Sequence, residues 1–253
     1  MLVSRYQTPA WDNDLILIDC PQSIRKMMHE ADDGRFHGLD LPRINTLVLT
    51  HLHTDHASGL ETIAAFFKIA VGRKLRLVAL PEVLEGVPRF LEAIKSLGTM
   101  EDLFDVVELP TDRDLALDVG GTPITFIGRR TAHPIPTSAL IVSMMVNDET
   151  KRLAYSCDTS FDKDLWEWLW KNDPGLVVHE VGHGIHTSYD ALTKAVGFVS
   201  KSEEPNEDNR RQQAIRAMLK AKDMRLIHYP DDMLPLLESS PFPLMREGNL
   251  EIV

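Results

Sequence analysis

Apolar residues along this chain fall into two rhythms. Short runs rich in branched and aliphatic side chains, which read as strands, alternate with stretches whose apolar positions recur every three or four residues, which read as helices. The runs predict strands at Leu15–Asp19, Thr46–Thr50, Leu75–Leu80, Thr122–Ile127, Ser138–Val146, Arg152–Ser156, Leu176–His179 and Arg225–His228. The segment Asn147-Asp148-Glu149-Thr150-Lys151 reads as the turn of a hairpin. Helical spacing of Leu60, Ile63, Ala64 and Phe67 predicts a helix, with Ser58 and Glu61 placed to form a capping box at its start. Pro81 to Leu97 reads as helix interrupted near Gly86 and Pro88, and Asp162 to Lys171 as a helix whose Trp166 and Trp170 share a packing face. A further helix follows Ser188 and carries Leu192, Ala195, Val196 and Val199. The polar stretch Lys201–Arg211 reads as a solvated loop leading into a last helix at Asn209–Lys222. No repeat or low-complexity linker interrupts this alternation, so a single domain over residues 1–253 with layered α/β architecture is expected.

Composition narrows the class. An apolar content of 43% with 26% charged residues is that of a globular chain. No apolar run approaches the roughly 20 residues of a membrane span, and the start Met1-Leu2-Val3-Ser4-Arg5 lacks the pattern of a signal peptide, so a cytoplasmic location without a membrane partner is expected. Two cysteines, Cys20 and Cys157, do not make a disulfide framework. The net charge of −11 disfavours a broad nucleic-acid surface, though not the binding of one phosphate at a local site.

The chemistry concentrates in Thr50-His51-Leu52-His53-Thr54-Asp55-His56, on the loop that leaves an apolar strand. Four ligand-type side chains fall within six positions there. Imidazole nitrogen and carboxylate oxygen suit zinc, manganese or iron, and one histidine near a helix start would read as a cap whereas three with an aspartate do not.

His-x-His-x-Asp-His after a strand resembles the first metal motif of the metallo-β-lactamase superfamily, which implies a four-layer αββα sandwich with metals at one edge of two facing sheets. Further ligands follow in the family's order: His133 in Thr131-Ala132-His133-Pro134, Asp158 in Ser156-Cys157-Asp158-Thr159, and His228 in Leu226-Ile227-His228-Tyr229. By this resemblance His51, His53 and His133 hold one metal, Asp55, His56 and His228 the other, and Asp158 bridges them. Two divalent ions, zinc first and manganese or iron as alternatives, would then share a bridging hydroxide as nucleophile.

The surroundings of His133, with Pro134-Ile135-Pro136-Thr137, are similar to those in ribonuclease Z and related phosphodiesterases. His179-Glu180-Val181 and His186-Thr187-Ser188 resemble that branch's His-Glu-Ala-Thr and His-Ser-Thr elements. The resemblance makes His186 a general acid and Glu180 its orienter, and counts Asp55 among the catalytic residues as well as the ligands. His183 on the same loop competes with His186 for the acid role, and His179 has a structural reading at a strand end. The short interval between His133 and Asp158 leaves no room for the arm with which ribonuclease Z grips tRNA. The opening strand with its Gly-Thr-Gly turn is missing, so the first sheet is expected to lack a strand or to have that edge covered by a second copy in a homodimer. Cys157 stands where relatives often have glycine, and reads as filling a small space. A phosphodiesterase acting on a small molecule such as a cyclic nucleotide is the expectation. An ester, lactone or thioester hydrolase is the alternative within enzymes, and a non-catalytic metal-binding scaffold the alternative outside them. A flavin-linked role is disfavoured, because those relatives favour Glu where this chain has His53.

Overall fold

A computed structural model describes residues 2–3, 15–31, 40–197 and 223–245. The chain divides into two compact units, the first chiefly Met1–Gly128 with Ile135–Ser138, the second chiefly Arg129–Pro134 with Ala139–Arg246.

The first unit is built on a five-stranded sheet in the order β1-β2-β3-β4-β5, formed by Leu2–Val3, Leu15–Ile18, Ile44–Val48, Leu75–Ala79 and Phe104–Glu108. Strands β2 to β5 run parallel, and the two-residue β1 pairs antiparallel with β2. The edge expected to be open therefore carries a strand, though only a short one. Parallel strands covered on both faces need nearly continuous apolar sequence, and Leu15, Leu17, Leu47, Val48, Leu77 and Val78 are all buried. Each such side chain contributes about 1.5–3 kcal/mol by leaving water.

Crossovers between these parallel strands contain the helices α1 (Ile24–Ala31), α2 (Thr54–Ala57), α3 (Leu60–Phe66), α4 (Pro81–Leu84) and α5 (Met100–Leu103). The helix expected across Pro81 to Leu97 breaks where Gly86 and Pro88 indicated: α4 ends at Leu84 and a 3₁₀ segment runs over Val87–Leu97. The capping box expected from Ser58 and Glu61 does not form. Ser58 closes α2, its N–H donating to Thr54 O at 3.0 Å, and Gly59 is the N-cap of α3 without any side-chain cap. Gly59 is required there by close approach. A Cβ on it would lie 2.5 Å from Pro21 O and 2.8 Å from both Cys20 O and Cys20 Sγ. Its N–H meanwhile donates to Cys20 O at 2.7 Å, fixing the helix start against the end of β2.

Besides β1, two strands escaped the reading of apolar runs. In β5 the acidic Asp105 and Glu108 break the run, and β6 (Asp114–Val119) alternates exposed positions with inward Leu115, Leu117 and Val119. Period two was the signal for β6. It pairs antiparallel with β7 (Thr122–Arg130) through Gly120 and Gly121, both at positive φ.

The second unit contains β8 (Ser138–Val146), β9 (Glu149–Tyr155), β10 (Leu176–Glu180) and β11 (Met224–Ile227), in the order β11-β10-β9-β8. The hairpin between β8 and β9 is tighter than expected. Val146 pairs with Glu149, leaving Asn147 and Asp148 at φ 51° and 64° as a two-residue turn that matches strand twist. Strands β9, β10 and β11 are parallel. Helix α6 (Lys163–Lys171) precedes β10 and is capped by Asp162, whose side chain accepts from Asp164 N and Leu165 N. Trp166 and Trp170 share a face, ring centroids 5.7 Å apart, with Trp166 buried, so packing is their role. Helix α7 (Tyr189–Val196) follows Ser188, which caps it through Ala191 N. Val199, the polar stretch and the helix expected at Asn209–Lys222 lie outside the described residues.

The chain is thus α/β, with two sheets flanked by helices. Among the described residues no helix is long and apolar enough to cross a membrane.

The Gly59 contact yields a prediction. Replacement by alanine forces a methyl group into backbone carbonyls and should cost about 1–3 kcal/mol of stability, measured as a lowered urea midpoint at unchanged m-value. An unchanged midpoint would mean that the α3 start is not held against β2 as described.

Candidate metal centre

Each unit presents a cluster of ligand-type side chains where strands end. In the first unit β3 ends at Val48, and the extended Leu49 and Thr50 lead to His51. His53 is the N-cap of α2, which places Asp55 and His56 in its first turn. The rings of His51 and His53 are 4.9 Å apart, those of His51 and His56 4.1 Å, and Asp55 Oδ2 is 3.6 Å from His56 Nε2. His51 and His56 are buried and Asp55 is exposed.

A residue that sequence reasoning missed organises this cluster. Asp19 follows β2 in the left-handed region, φ 60°, and its N–H donates to Val48 O at 2.9 Å. Its buried carboxylate accepts from Thr50 N and Thr50 Oγ1 at 2.8 Å, and Oδ2 lies 2.7 Å from His56 Nδ1. An ionised carboxylate only accepts, so the contact turns His56 Nδ1 toward Asp19 and leaves Nε2 facing Asp55. This is how outer carboxylates orient metal-binding histidines. The signal available in sequence was an aspartate closing an apolar strand. Beside it, burial and the charge of Asp19 push the Cys20 thiol up to about 12. Cys20 therefore stays protonated and inert, not a thiolate ligand.

In the second unit His133 and Asp158 lie on two loops laced together. Thr131 Oγ1 donates to Asp158 O at 2.7 Å, Ala132 N to Thr159 Oγ1 at 3.3 Å, and Ser160 N and Oγ to Ala132 O at 2.9 and 3.0 Å. Glu180, the last residue of β10, is fully buried among them. Its Oε1 accepts from Thr159 N at 2.6 Å and Thr187 N at 3.3 Å. Its Oε2 is 2.6 Å from His186 Nδ1 and 3.4 Å from His228 Nδ1. Burial alone would raise the pKa of this carboxyl, but hydrogen bonds with His228, Thr159 and His186 hold it below the ordinary glutamate value. Glu180 is therefore ionised, and its Oε2 holds the His186 ring through Nδ1, leaving Nε2 on the far side of the ring.

His228 completes the cluster, with Nδ1 3.5 Å from Asp158 Oδ1 and its ring 5.1 Å from that of His186. The His133 ring is 5.8 Å from His186. One ligand atom from each of Asp158, Glu180, His186 and His228 lies within 4.8 Å of the others. Within that cluster Asp158 and His228 offer donors of the kind that suit a divalent cation, while Glu180 and His186 are turned to each other. The competing His183 is exposed and pairs instead with Asp232 at 3.2 Å. Cys157 is buried at φ 52°, a backbone conformation that favours glycine.

The chain matches the family model of "Anti-Pycsar protein Apyc1" over residues 7–199. It belongs to that family. The Apyc1 protein of Bacillus phage BSP38 is 27% identical over 231 residues, covering 86% of this chain and 78% of the relative. Among solved structures, the metallo-β-lactamase fold protein YhfI from Bacillus subtilis aligns with TM-score 0.60 at 16% identity, covering 92% of this chain and 85% of YhfI. The short form of human tRNase Z aligns with TM-score 0.57 at 17% identity, over 98% of this chain and 95% of that one. This member of the Apyc1 family thus has the metallo-β-lactamase fold, and its structural neighbours include the ribonuclease Z branch that its motifs resemble.

His179 keeps its structural reading. It is buried, its Nδ1 is 2.7 Å from Glu180 O, and its ring lies 5.8 Å from Trp166. Burial, only partly offset by the hydrogen bond to Glu180 O and the charge of Glu180, holds its pKa below the ordinary histidine value, so the folded protein keeps it neutral. The unfolded chain then binds the extra proton first. Its contribution is fully present above the unfolded histidine pKa of about 6.5 and is lost as pH falls below it. Urea denaturation at pH 7.5, 6.5 and 5.5 should show a shallower acid loss for His179→Gln than for the parent. Parallel slopes would remove His179 from the acid-sensitive groups.

Proposed function

We propose that this chain is a two-metal hydrolase that cleaves a small phosphodiester, with a cyclic nucleotide as the substrate class. The observation that carries this reading is the pair of buried Glu180 and half-buried His186 beside Asp158 and His228, a proton donor held among ligand-type side chains. Support also comes from the His133 surroundings, from the short interval to Asp158 and from membership of the Anti-Pycsar family. His51, His53 and His133 would hold one ion and Asp55, His56 and His228 the other, with Asp158 shared; zinc suits these donors, as do manganese and iron. Ions bound there would lower the pKa of water and neutralise charge on the phosphate oxygens.

The chain's own residues do the rest. Asp19 keeps the hydrogen on His56 Nδ1, so that Nε2 faces outward as a ligand. His186 Nε2 gives its proton to the oxygen leaving phosphorus as the P–O bond breaks, and Glu180 holds the ring in position while the charge on it changes. In a cyclic substrate that oxygen remains attached to the product as a hydroxyl. The net reaction is then addition of one water across one P–O bond.

Metal content by plasma mass spectrometry tests the site first. About two ions per chain are expected in the parent, and Asp158→Ala should lose most of both because it removes the shared ligand. His186→Ala should keep its metal while kcat on bis(p-nitrophenyl) phosphate and 3′,5′-cyclic nucleotides falls by about 10²–10⁴-fold. Metal loss in the His186 variant would remove it as the acid. Turnover of acyl esters or lactones without any phosphodiester cleavage would overturn the substrate class. A parent that takes up no zinc, manganese or iron would overturn the catalytic reading.

A further inference from the structure

The loop after β10 carries two imidazoles, and the proposed function uses one of them. Val181 N donates to Ile227 O at 3.1 Å, extending the β10–β11 ladder by one step. Gly182 N then donates to Thr187 O at 2.9 Å, which closes the neck of the loop. Within that neck only four residues remain, turned by a bond from His186 N to His183 O at 3.3 Å. Gly184 is left-handed, φ 67°, with open space around its α-carbon, and Ile185 is exposed. A Cβ on Gly182 would lie 2.9 Å from His186 Cβ, so the neck glycine leaves room for the catalytic imidazole. Glycine on both sides of His183 gives this tip large conformational freedom, and holding it costs entropy.

At that tip His183 Nε2 lies 3.3 and 3.2 Å from the two oxygens of Asp232. Asp232 belongs to a 3₁₀ turn over Asp231–Met233, anchored by buried Met233 and begun three residues after His228. The pair therefore joins the loop bearing His186 to the segment bearing His228. Glu180 Oε2 meets both of those rings from beneath, at 2.6 and 3.4 Å. The loop thus has an inner carboxylate–imidazole pair, Glu180–His186, and an outer one, Asp232–His183, three residues apart.

We infer that the His183–Asp232 pair is a clasp that positions His186 for proton transfer, with His183 and Asp232 as positioning residues and not catalytic ones. The inference rests on the proposed role of His186 as the acid. The two side chains are 63% and 72% exposed, which sets the scale of the effect. An exposed ion pair couples weakly, so the clasp is worth a few-fold in rate and leaves stability nearly unchanged. Proton transfer depends on placement to within fractions of an ångström, and a loosened loop lowers turnover before it lowers affinity.

The test uses full-length, metal-loaded protein in two arms. Hydrogen exchange of the peptide covering residues 182–187 is measured for the parent, His183→Ala, Asp232→Asn, the double variant and His183→Arg. The same proteins are assayed for kcat and KM on 3′,5′-cyclic nucleotides. Each single loss should speed loop exchange and lower kcat by about threefold at unchanged KM and metal content. The double variant should be no worse than either single one, and His183→Arg, which can still reach Asp232, should restore both readouts. Unchanged exchange, additive losses in the double variant, or an effect on KM alone would overturn the clasp. A parent without phosphodiester turnover would instead sink the proposed function, and the exchange arm alone would then decide whether the clasp exists.

Discussion

A buried carboxylate must be answered on every side, and Glu180 is the one around which the second unit is arranged. Taking an ionised carboxylate from water costs several kcal/mol unless hydrogen bonds replace its hydration. Glu180 receives Thr159 N and Thr187 N on one oxygen and the two imidazoles His186 and His228 on the other. Those partners come from the turns after β9, β10 and β11. Thr187 adds a cross-tie by donating from Oγ1 to Thr159 O at 3.0 Å. Removing the charge would leave three turns without their common acceptor. The cost of burying one charge is offset only when all three turns are in place, which ties the turns to one another.

The first unit solves the same problem with Asp19. Here too a carboxylate closes an apolar strand, lies buried, and satisfies its oxygens with a backbone N–H, a threonine hydroxyl and one imidazole. The correspondence is physical. At the end of a parallel strand a carboxylate can meet the next strand's loop, where it binds backbone and hydroxyl donors and orients an imidazole at once. In both units the carboxylate meets an imidazole through Nδ1, that of His56 in the first and that of His186 in the second, and so fixes which way the ring faces.

How much of this could be read from the chain follows from how local each feature is. The candidate ligands between His51 and His56 were legible because they crowd into one loop, and His133, Asp158 and His228 because they stand in the order of the resembled family's motifs. Asp19 was not, since its partners Thr50 and His56 are thirty-one and thirty-seven residues away and meet it only through the β2–β3 pairing. The choice between His183 and His186 was open for the same reason: nothing local says which imidazole reaches Glu180 and which reaches Asp232. Strand β5 was missed because acidic residues interrupt its run, and the capping box at Ser58 was wrongly expected because α2 had already used that serine. Local rules fail in this chain where a contact from elsewhere wins.

Backbone conformation makes the last connection between fold and site. Asp19, Cys157 and His228 follow β2, β9 and β11, and all three have φ between 52° and 60°. Left-handed backbone costs a residue with a Cβ about 1–2 kcal/mol, so three instances at strand exits need a reason. An abrupt reversal is the shortest way to aim a side chain across the end of a sheet without lengthening the loop. At Asp19 and His228 the reversed residue itself carries the side chain that enters the cluster. At Cys157 it delivers the next residue, Asp158, while the thiol fills buried space that glycine would leave empty. Strain at these exits is retained by the hydrogen bonds that follow each one, above all those to Glu180 and from Thr50. The carboxylates and the strained turns therefore depend on each other: the turns bring donors to the charges, and the charges hold the turns in conformations they would otherwise leave.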